Sequence, residues 1–528
     1  MKAYLKSINN PEEKSQLQRD LSVIDFHPDK DRFAAYTGHQ GDQIVQYASF
    51  YFKRLHTLRE FVMAECQKKW GYKAQIASKK RNEDQIPSSS ESSQEGGDNP
   101  VIMNNILDVK PGLETVIIGT LYKEMPKKPC ILSNLVGVLR DKGPNVNYCS
   151  PEDYLILEDS SGRIKIKPQS IKNANPGNFV TGSIMGMKGK VDQNGLFEVE
   201  EYTYAGINPE HIEKMPKSIT SNKKYIAIVS GLEFGNQNNT EYLLYLKRFF
   251  RGEHGDAMLA SKINRLIIAG NSIQEPQEQD NVNRGSYRTH DLNIKVYSQL
   301  IDLTDQLENY LTQLTQYVPV ELMPGESDFT SALLPQQQLH PSLFPNLLKN
   351  RNGHLTPNPY FNLLSNPCKL SIDDITLIGT SGQTIQDIQK YSSFTDPLQI
   401  MEHNLTIRHL APTCPDTLRS YPFTDRDPFI LSQFPHVYFC GNQRQFGTKF
   451  VSAGFENQTN KEKGIHIVSI PKFRESGSFV VVELGSLEIQ EVKLIGRTTK
   501  CIKPAVLTVA NQVVSIENIS SAASPVAD

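Results

Sequence analysis

Cysteine is scarce in this chain of 528 residues: seven, standing apart at positions 66, 130, 149, 368, 414, 440 and 501. None is spaced C-x-x-C, which excludes a zinc finger of the usual local spacing, and an odd number makes a poor disulfide framework. Reduced thiols of a cytosolic or nuclear protein are expected. No stretch approaches the ~20 consecutive apolar residues of a membrane span. The opening Met1-Lys2-Ala3-Tyr4-Leu5-Lys6 lacks the apolar core of a signal peptide. An excess of one charge is missing too. Lys plus Arg number 56 against 58 Asp plus Glu, for a net charge of −2. That excludes a chain-wide polyelectrolyte gripping nucleic acid by bulk charge. Gly (33) and Pro (31) are at ordinary levels, so this is no low-complexity chain.

What is present supports buried cores: 38% hydrophobic and 22% charged residues. The length suggests roughly three domains of ~150 residues, or two larger ones. From Gln46 to Trp70 the apolar residues Tyr47, Phe50, Tyr51, Leu55, Leu58, Phe61 and Val62 recur with helical spacing, which predicts an amphipathic helix. The stretch from Ser88 to Asn99 holds no apolar residue. It is expected to be disordered, because it has nothing to bury against the cost of chain entropy.

Between 101 and about 205 the period falls to two. Thr115–Tyr122 reads as a strand. Tyr154–Asp159 and Arg163–Lys167 read as a hairpin around Ser160-Ser161-Gly162. Val180–Lys190 and Gly195–Tyr202 flank an Asp192-Gln193-Asn194-Gly195 turn. Five short strands with glycines at bends suit an OB-type barrel. From about 222 the pattern is strand–helix alternation. Tyr225–Gly231, Arg265–Gly270, Val318–Met323, Ile375–Gly379 and His436–Gly441 are continuously apolar strands, with helices expected at Thr240–Phe250 and Asp291–Tyr317. This predicts a layered α/β domain. The last 14 residues are read as a frayed tail.

Active sites of α/β sheets lie at the carboxyl ends of strands. The residues there are Ser230-Gly231-Leu232-Glu233, Gly270-Asn271-Ser272-Ile273-Gln274, Pro324-Gly325-Glu326-Ser327-Asp328 and Cys440-Gly441-Asn442-Gln443-Arg444. In order and spacing this series resembles the calcineurin-like metallophosphoesterases, whose active pattern is D-x-H, G-D-x-x-D, G-N-H-D/E and G-H-x-H around two metal ions. The resemblance keeps the frame and loses the ligands. Gly231 and Glu233 stand where Asp and His belong. Asn271 and Gln274 replace two aspartates, Glu326 and Ser327 replace Asn and His, and Asp328 is left. Asn442 and Arg444 replace the paired histidines. An uncharged Asn271 cannot bridge two cations, and an arginine beside them repels them. No metal and no catalytic residue are therefore expected, and the resemblance implies no other cofactor. Glu233, Glu326 and Asp328 are read as hydrogen-bonded or solvated loop carboxylates, with one weakly held ion as the alternative. His409 is read as a structural histidine.

An OB-type barrel joined to a degraded phosphoesterase domain resembles the B subunits of eukaryotic replicative DNA polymerases. The runs Met323–Asp328, Leu334–Pro345, Gly379–Gln383 with Asp387-Ile388, His409–Leu418 and Pro435–Asn442 look like the delta type rather than alpha or epsilon. The likeness runs from about Gln46 to about Gly485, omitting 78–100. It implies an N-terminal segment (1–44) packed on the phosphoesterase-like domain, an OB-fold domain (45–205) with a disordered insertion at 78–100, the inactivated domain itself (206–490), and a C-terminal extension with a flexible tail (491–528). It also implies a nuclear, non-catalytic scaffold for DNA replication and repair. The implied partners are the cysteine-rich C-terminal domain of the polymerase delta catalytic chain and a third, clamp-binding subunit. The polymerase zeta catalytic chain is a further partner in relatives. DNA contact would be weak or indirect, with no membrane partner.

Aromatic residues and arginine dominate hot spots, so Phe329, Phe344, Arg444 and Phe446 at loop ends are candidate interface anchors, with capping of the domain's own core as the alternative. Two rival functions remain. The barrel's Lys123, Lys127, Lys128, Lys165, Lys167, Lys188 and Lys190, with Tyr122, Tyr154 and Phe197, suit single-stranded DNA binding. An active metallophosphodiesterase is the enzymatic rival.

Overall fold

The computed structural model describes residues 26–34, 46–71, 101–129, 147–167, 176–214, 223–237, 240–274, 289–349, 354–453, 463–495 and 498–502. The insertion expected at 78–100 and the last 14 residues lie outside them. A short strand, β1 (Phe26–Pro28), precedes helix α1 (Ala48–Trp70). Helix α1 buries Phe50, Arg54, Leu55, Leu58, Val62 and Cys66, one stripe at helical spacing. It stops at Gly71, whose φ of 65° lets its N–H turn back onto the Gln67 carbonyl.

Strands β2 (Val101–Ile102), β3 (Thr115–Glu124), β4 (Tyr154–Glu158), β5 (Arg163–Lys165), β6 (Ile184–Val191) and β7 (Phe197–Tyr204) form one sheet, the N-terminal one. Its order is β5-β4-β3-β6-β7, antiparallel throughout, with β2 added parallel to β3. A parallel bridge between Ile166 and Phe197 joins the two ends of that order. Strand β6 begins at Ile184 rather than Val180, because Gly182 (φ 87°) turns the chain just before it. Helix α1 lies across this sheet, with Leu58, Val62 and Cys66 against Val116, Ile118 and Ile184.

The rest of the chain runs β8 (Tyr225–Val229), α2 (Thr240–Arg251), α3 (Ala257–Lys262), β9 (Ile263–Ala269), α4 (Thr289–Leu314), β10 (Val320–Met323), α5 (Pro345–Leu348), β11 (Phe361–Leu363), β12 (Cys368–Ile372), β13 (Ile375–Thr380), α6 (Gln383–Tyr391), α7 (Pro397–Thr406), β14 (Val437–Gln443), β15 (Gly447–Ser452), β16 (Gly464–Pro471), α8 (Phe473–Ser476), β17 (Ser478–Glu483), β18 (Ile489–Ile495) and β19 (Thr498–Ile502). Two sheets result. One has seven strands, ordered β11-β10-β9-β8-β17-β18-β19; the other has six, ordered β1-β12-β13-β14-β16-β15. Strands β8 to β11 are mutually parallel, as are β13, β14 and β16.

The two sheets face each other across a shared apolar layer. Ile226, Ile228 and Ile267 from the seven-stranded sheet meet Leu377, Val437, Phe439 and Val468 from the other. The outer face of the seven-stranded sheet is covered by α2 and α4 through Leu246, Phe249, Phe250, Leu307 and Leu311. The outer face of its partner is covered by α6 and α7 through Ile385, Ile388, Ile400 and Leu405. Burial on both faces explains why the central strands read as unbroken apolar runs.

The end of this domain differs from the expected limit at 490. That position falls inside β18, and β19 extends the same sheet to Ile502. The pairing is antiparallel and begins at β17, so strand–helix alternation gives no hint of it. At the other end, β1 pairs with β12, and Arg32 donates to the Ile430 carbonyl at 2.8 Å.

The two parts of the molecule meet at a buried ionic seam. Arg54 of α1, fully buried, donates through Nε to Asp427 Oδ2 at 2.7 Å. Its Nη1 and Nη2 donate to the Pro412 and Cys414 carbonyls, each at 2.8 Å. His409 Nε2 lies 2.8 Å from the same Asp427 oxygen. The Ala411 N–H donates to His409 Nδ1, so the ring proton sits on Nε2. Burial works to raise the Asp427 pKa, yet the charges and hydrogen bonds of His409 and Arg54 outweigh it and hold the carboxyl below its usual range. Burial, helped by Arg54, pushes His409 down to about 4. A Cβ on Gly182 would overlap the Pro412 carbonyl oxygen, so this turn approaches the second part as closely as backbone allows.

Candidate functional site

The loops that leave β8, β9, β10 and β14 converge where the two facing sheets meet. Backbone bonds tie the first two together: Gly231 N–H to Gly270 O at 3.0 Å, Glu233 N–H to Asn271 O at 3.1 Å and Phe234 N–H to Ser272 O at 2.8 Å. Strand β14 approaches them at Gly441, where a Cβ would stand 2.6 Å from the Ala269 carbonyl oxygen. Three residues other than glycine hold left-handed backbone here: Glu233 (φ 46°), Asn271 (φ 54°) and Asn442 (φ 58°). Such conformations cost of order 1–3 kcal/mol, less for asparagine, and persist where surroundings enforce them.

Asn442 is one enforcer. Its N–H donates to Ser230 Oγ at 2.9 Å. Its Nδ2 donates to the Ala269 carbonyl at 3.2 Å and the Ser381 carbonyl at 2.7 Å. One buried asparagine thus pins the ends of β8, through its backbone N–H, and of β9 and β13, through its side-chain amide. Asp328 is a second enforcer. Its Oδ1 accepts from Ser272 N–H (2.8 Å) and Ile273 N–H (3.0 Å), and its Oδ2 accepts from Gly325 N–H (2.8 Å). Burial pushes its pKa up to about 6, against the pull of these backbone donors. The carboxylate's lone pairs are directed into the loops that carry it.

The remaining predicted positions are placed as follows. Gly231 packs against Asn442 Oδ1, 2.9 Å from where its Cβ would stand. Glu233 faces Lys472, with Oε1 3.4 Å from Nζ, and accepts from Asn236. Ser327 Oγ donates to the Ile273 carbonyl at 2.6 Å, and its N–H lies 3.4 Å from Asn271 Oδ1. Gln274 is half-buried and pairs through its backbone with Phe234. Glu326 and Arg444 are exposed. The crevice therefore brings together Gly231, Glu233, Asn271, Ser327, Asp328 and Asn442, whereas Glu326 and Arg444 turn to solvent. Among the described residues there is no group of three or more His, Cys, Asp and Glu side chains that could hold a metal ion.

Two contributors escaped the sequence reading. Lys472 reaches Glu233 from the far end of β16, an approach that only folding creates. A buried amide network joins Asn366, Gln336, Ser381 and Gln383. Asn366 Nδ2 lies 2.7 Å from Gln336 Oε1 and from Ser381 Oγ, and 2.9 Å from Gln383 Oε1. Gln336 in turn donates to the Gly325 carbonyl at 3.0 Å. The run Gly379-Thr380-Ser381-Gly382-Gln383, which spans the end of β13 and the start of α6, was the available signal for it.

The four expected interface anchors separate. Phe329 is 49% exposed. Arg444 is exposed, and Phe446 is half-buried against the layer between the sheets. Phe344 corrects the expectation. It is fully buried in the chain's own core under the seven-stranded sheet, edge-on to Phe361 at 5.4 Å. It lies between a 3-10 turn and α5, with its ring packed inside the chain. Most basic side chains of the N-terminal sheet face carboxylates: Lys167 with Asp192 and Glu198, Lys188 with Glu114, Lys190 with Glu200 and Arg163 with Glu158. Lys123 is buried, its Nζ 3.3 Å from the Gly177 carbonyl.

Comparison with known proteins gives two family matches. Residues 46–202 match the OB-fold domain of DNA polymerase delta subunits, and residues 226–448 match the B subunits of DNA polymerases alpha and epsilon. Among curated proteins, the DNA polymerase delta small subunit of Arabidopsis thaliana is 37% identical over 390 residues, covering 72% of this chain and 82% of that protein. The small subunit from Oryza sativa subsp. japonica is 35% identical over 393 residues, covering 73% and 85%. That of Saccharomyces cerevisiae is 29% identical over 495 residues, covering 85% and 89%.

Proposed function

The chain belongs to the family of DNA polymerase delta small subunits, and from that premise we propose that it is the non-catalytic scaffold of a polymerase delta assembly. It acts in the nucleus in replication and repair synthesis. Its partners are the C-terminal domain of the catalytic chain and a clamp-binding third subunit, with the polymerase zeta catalytic chain as a further one. The N-terminal sheet, joined end to end by the Ile166–Phe197 bridge, is read as a five-stranded OB barrel. The two facing sheets between helices are read as a phosphoesterase-like domain whose metal site is lost.

The observation that carries this reading is how the crevice spends its polar groups. Asp328 is the carboxylate left at its expected place, and its oxygens accept backbone N–H groups. Asn442 spends its amide protons on two carbonyls. The Lys472 ammonium stands 3.4 Å from Glu233, in the position of a counter-ion, and would repel a dication. These residues do not fit a dimetal centre, so no hydrolytic step is derived through one. They do hold the loop ends rigid, which a docking surface needs.

Purification of the tagged full chain from its own cells, with mass spectrometry of what accompanies it, tests the reading. A stoichiometric B-family polymerase catalytic chain and a small clamp-binding subunit are expected. Recovery of the chain alone, with manganese-dependent hydrolysis of a generic phosphodiester that Asp328→Ala abolishes, would overturn it. Single-stranded DNA binding is disfavoured by the carboxylate partners of Lys167, Lys188 and Lys190. A strand of phosphates would have to displace them.

A further inference from the structure

Away from the strand-end crevice, a groove of about 620 Å³ opens between helix α1, the β3–β4 end of the N-terminal sheet and the loop that carries Asp416. Its floor and walls include Ala48, Tyr51 and Phe52 from the helix and Tyr122 from β3. Phe52 is 53% exposed, a large ring without a covering element among the described residues. Four carboxylates line the groove, those of Glu124, Glu158, Asp159 and Asp416, against one guanidinium, that of Arg163.

Two of these carboxylates, and the guanidinium, are already engaged. Asp159 is consumed by its own turn, accepting from Ser161, Gly162 and Ile106 N–H groups. Glu158 pairs with Arg163 at 2.7 Å. Asp416 is exposed and accepts from the Tyr51 hydroxyl at 2.7 Å, which leaves its negative charge in place. Burial raises the pKa of Tyr122, and the charges of Glu124, Asp416 and Glu158 add to the rise while that of Arg163 opposes it. Lys128 stacks on the Tyr122 ring at 5.9 Å and lies outside the lining.

We propose that this groove is a docking site for a basic segment of a partner protein, an apolar side chain of which lies against Phe52 while its lysines or arginines face Glu124 and Asp416. The inference rests on the reading of the chain as a docking subunit and specifies one of its surfaces. Charge complementarity selects the occupant. A negative lining attracts a cationic peptide and repels a phosphate backbone. An exposed aromatic ring beside it supplies the apolar anchor that interfaces favour. The groove also straddles the helix, the N-terminal sheet and the Asp416 loop, so an occupant would read the two parts of the molecule in their joined arrangement.

The test uses the full chain and a fluorescein-labelled peptide of alternating lysine and leucine, followed by fluorescence anisotropy. The controls are a peptide of alternating glutamate and leucine and a labelled single-stranded oligonucleotide. The lysine peptide is expected to bind, with affinity falling as salt rises. The double variant Glu124→Gln/Asp416→Asn should weaken it by about tenfold or more. Phe52→Ser, a substitution at an exposed site, should weaken it separately. Equal binding to wild type and both variants overturns the groove, as does preference for the glutamate peptide or the oligonucleotide. Co-purification with a polymerase catalytic chain is scored in parallel. If that chain is absent while the lysine peptide binds as expected, the scaffold reading fails and the groove stands.

Discussion

Replacing Arg54 by methionine probes the contact on which the two-part architecture depends. The side chain is fully buried and makes three donations, to Asp427 and to the Pro412 and Cys414 carbonyls. Methionine keeps much of the volume and removes the charge and every donor. Asp427 is then left ionised in the seam with only His409 and the Phe429 N–H, the latter at 3.0 Å from Oδ1. Breaking a buried ion pair from one side costs about 3–5 kcal/mol, because the partner charge stays behind. Against a total stability of about 5–15 kcal/mol, that is a large share.

The single tryptophan, Trp70, is a built-in reporter. It ends helix α1, and its Nε1 donates to Glu201 of β7 at 3.1 Å. Urea unfolding followed by its fluorescence should show the midpoint falling by the equivalent of about 3 kcal/mol or more. A phase in which the helix and N-terminal sheet part from the rest before global unfolding is also expected, since multidomain chains depart from two-state behaviour. Adding Asp427→Asn should recover part of the loss, because no charge is then orphaned. A loss below about 1 kcal/mol, typical of an exposed pair, or a double variant as unstable as the sum of the singles, would refute this account of the seam.

A buried base and a buried acid give opposite pH signatures in one window. His409 titrates near 4 in the folded chain and near ~6.5 unfolded. The unfolded chain therefore binds more protons between those values, and stability should rise with pH across that range. Asp328 titrates near 6 when folded and ~3.9 when unfolded, so its contribution is present below about 4 and is lost as pH rises through 6. Between pH 4 and 6, stability should climb more steeply with pH in Asp328→Asn than in the parent chain, and less steeply in His409→Gln; unchanged slopes in both would count against the assignments. Phe344→Ala should cost about 3–5 kcal/mol as a core truncation. Phe329→Ser should leave the midpoint within about 0.5 kcal/mol. Equal effects of the two on thermal unfolding would contradict their placement inside and outside.

Much of the architecture is legible before folding. Apolar residues of α1 repeat at helical spacing, and turn residues punctuate the strands β3 to β7, although β3 is buried at nearly every position rather than at alternate ones. Unbroken apolar runs such as Tyr225–Val229 and Val437–Cys440 announce strands covered on both faces. The strand-end residues could also be named in order, since they directly follow such runs. Strands β18 and β19 were less legible, because an antiparallel return to a parallel sheet leaves no signature in strand–helix alternation. Strand β15 is an edge strand in which only Val451 is buried, so it carries no strong apolar pattern.

Sequence by itself indicated the main helices and strands, a strand-rich first part followed by strand–helix alternation, and the residue types available at the loop ends, because these depend on residues near one another along the chain. Only the tertiary structure decided what those residues do. Phe344 and Phe329 are alike in sequence character, and packing puts one in the core and the other in water. Asp328 resembles a spare metal ligand until its oxygens are seen to hold three backbone N–H groups. Arg54 and Asp427 are 373 positions apart, yet they form the ion pair that joins the two parts. Burial and pairing are properties of distance in space, and no local pattern encodes which distant charge will arrive to satisfy another.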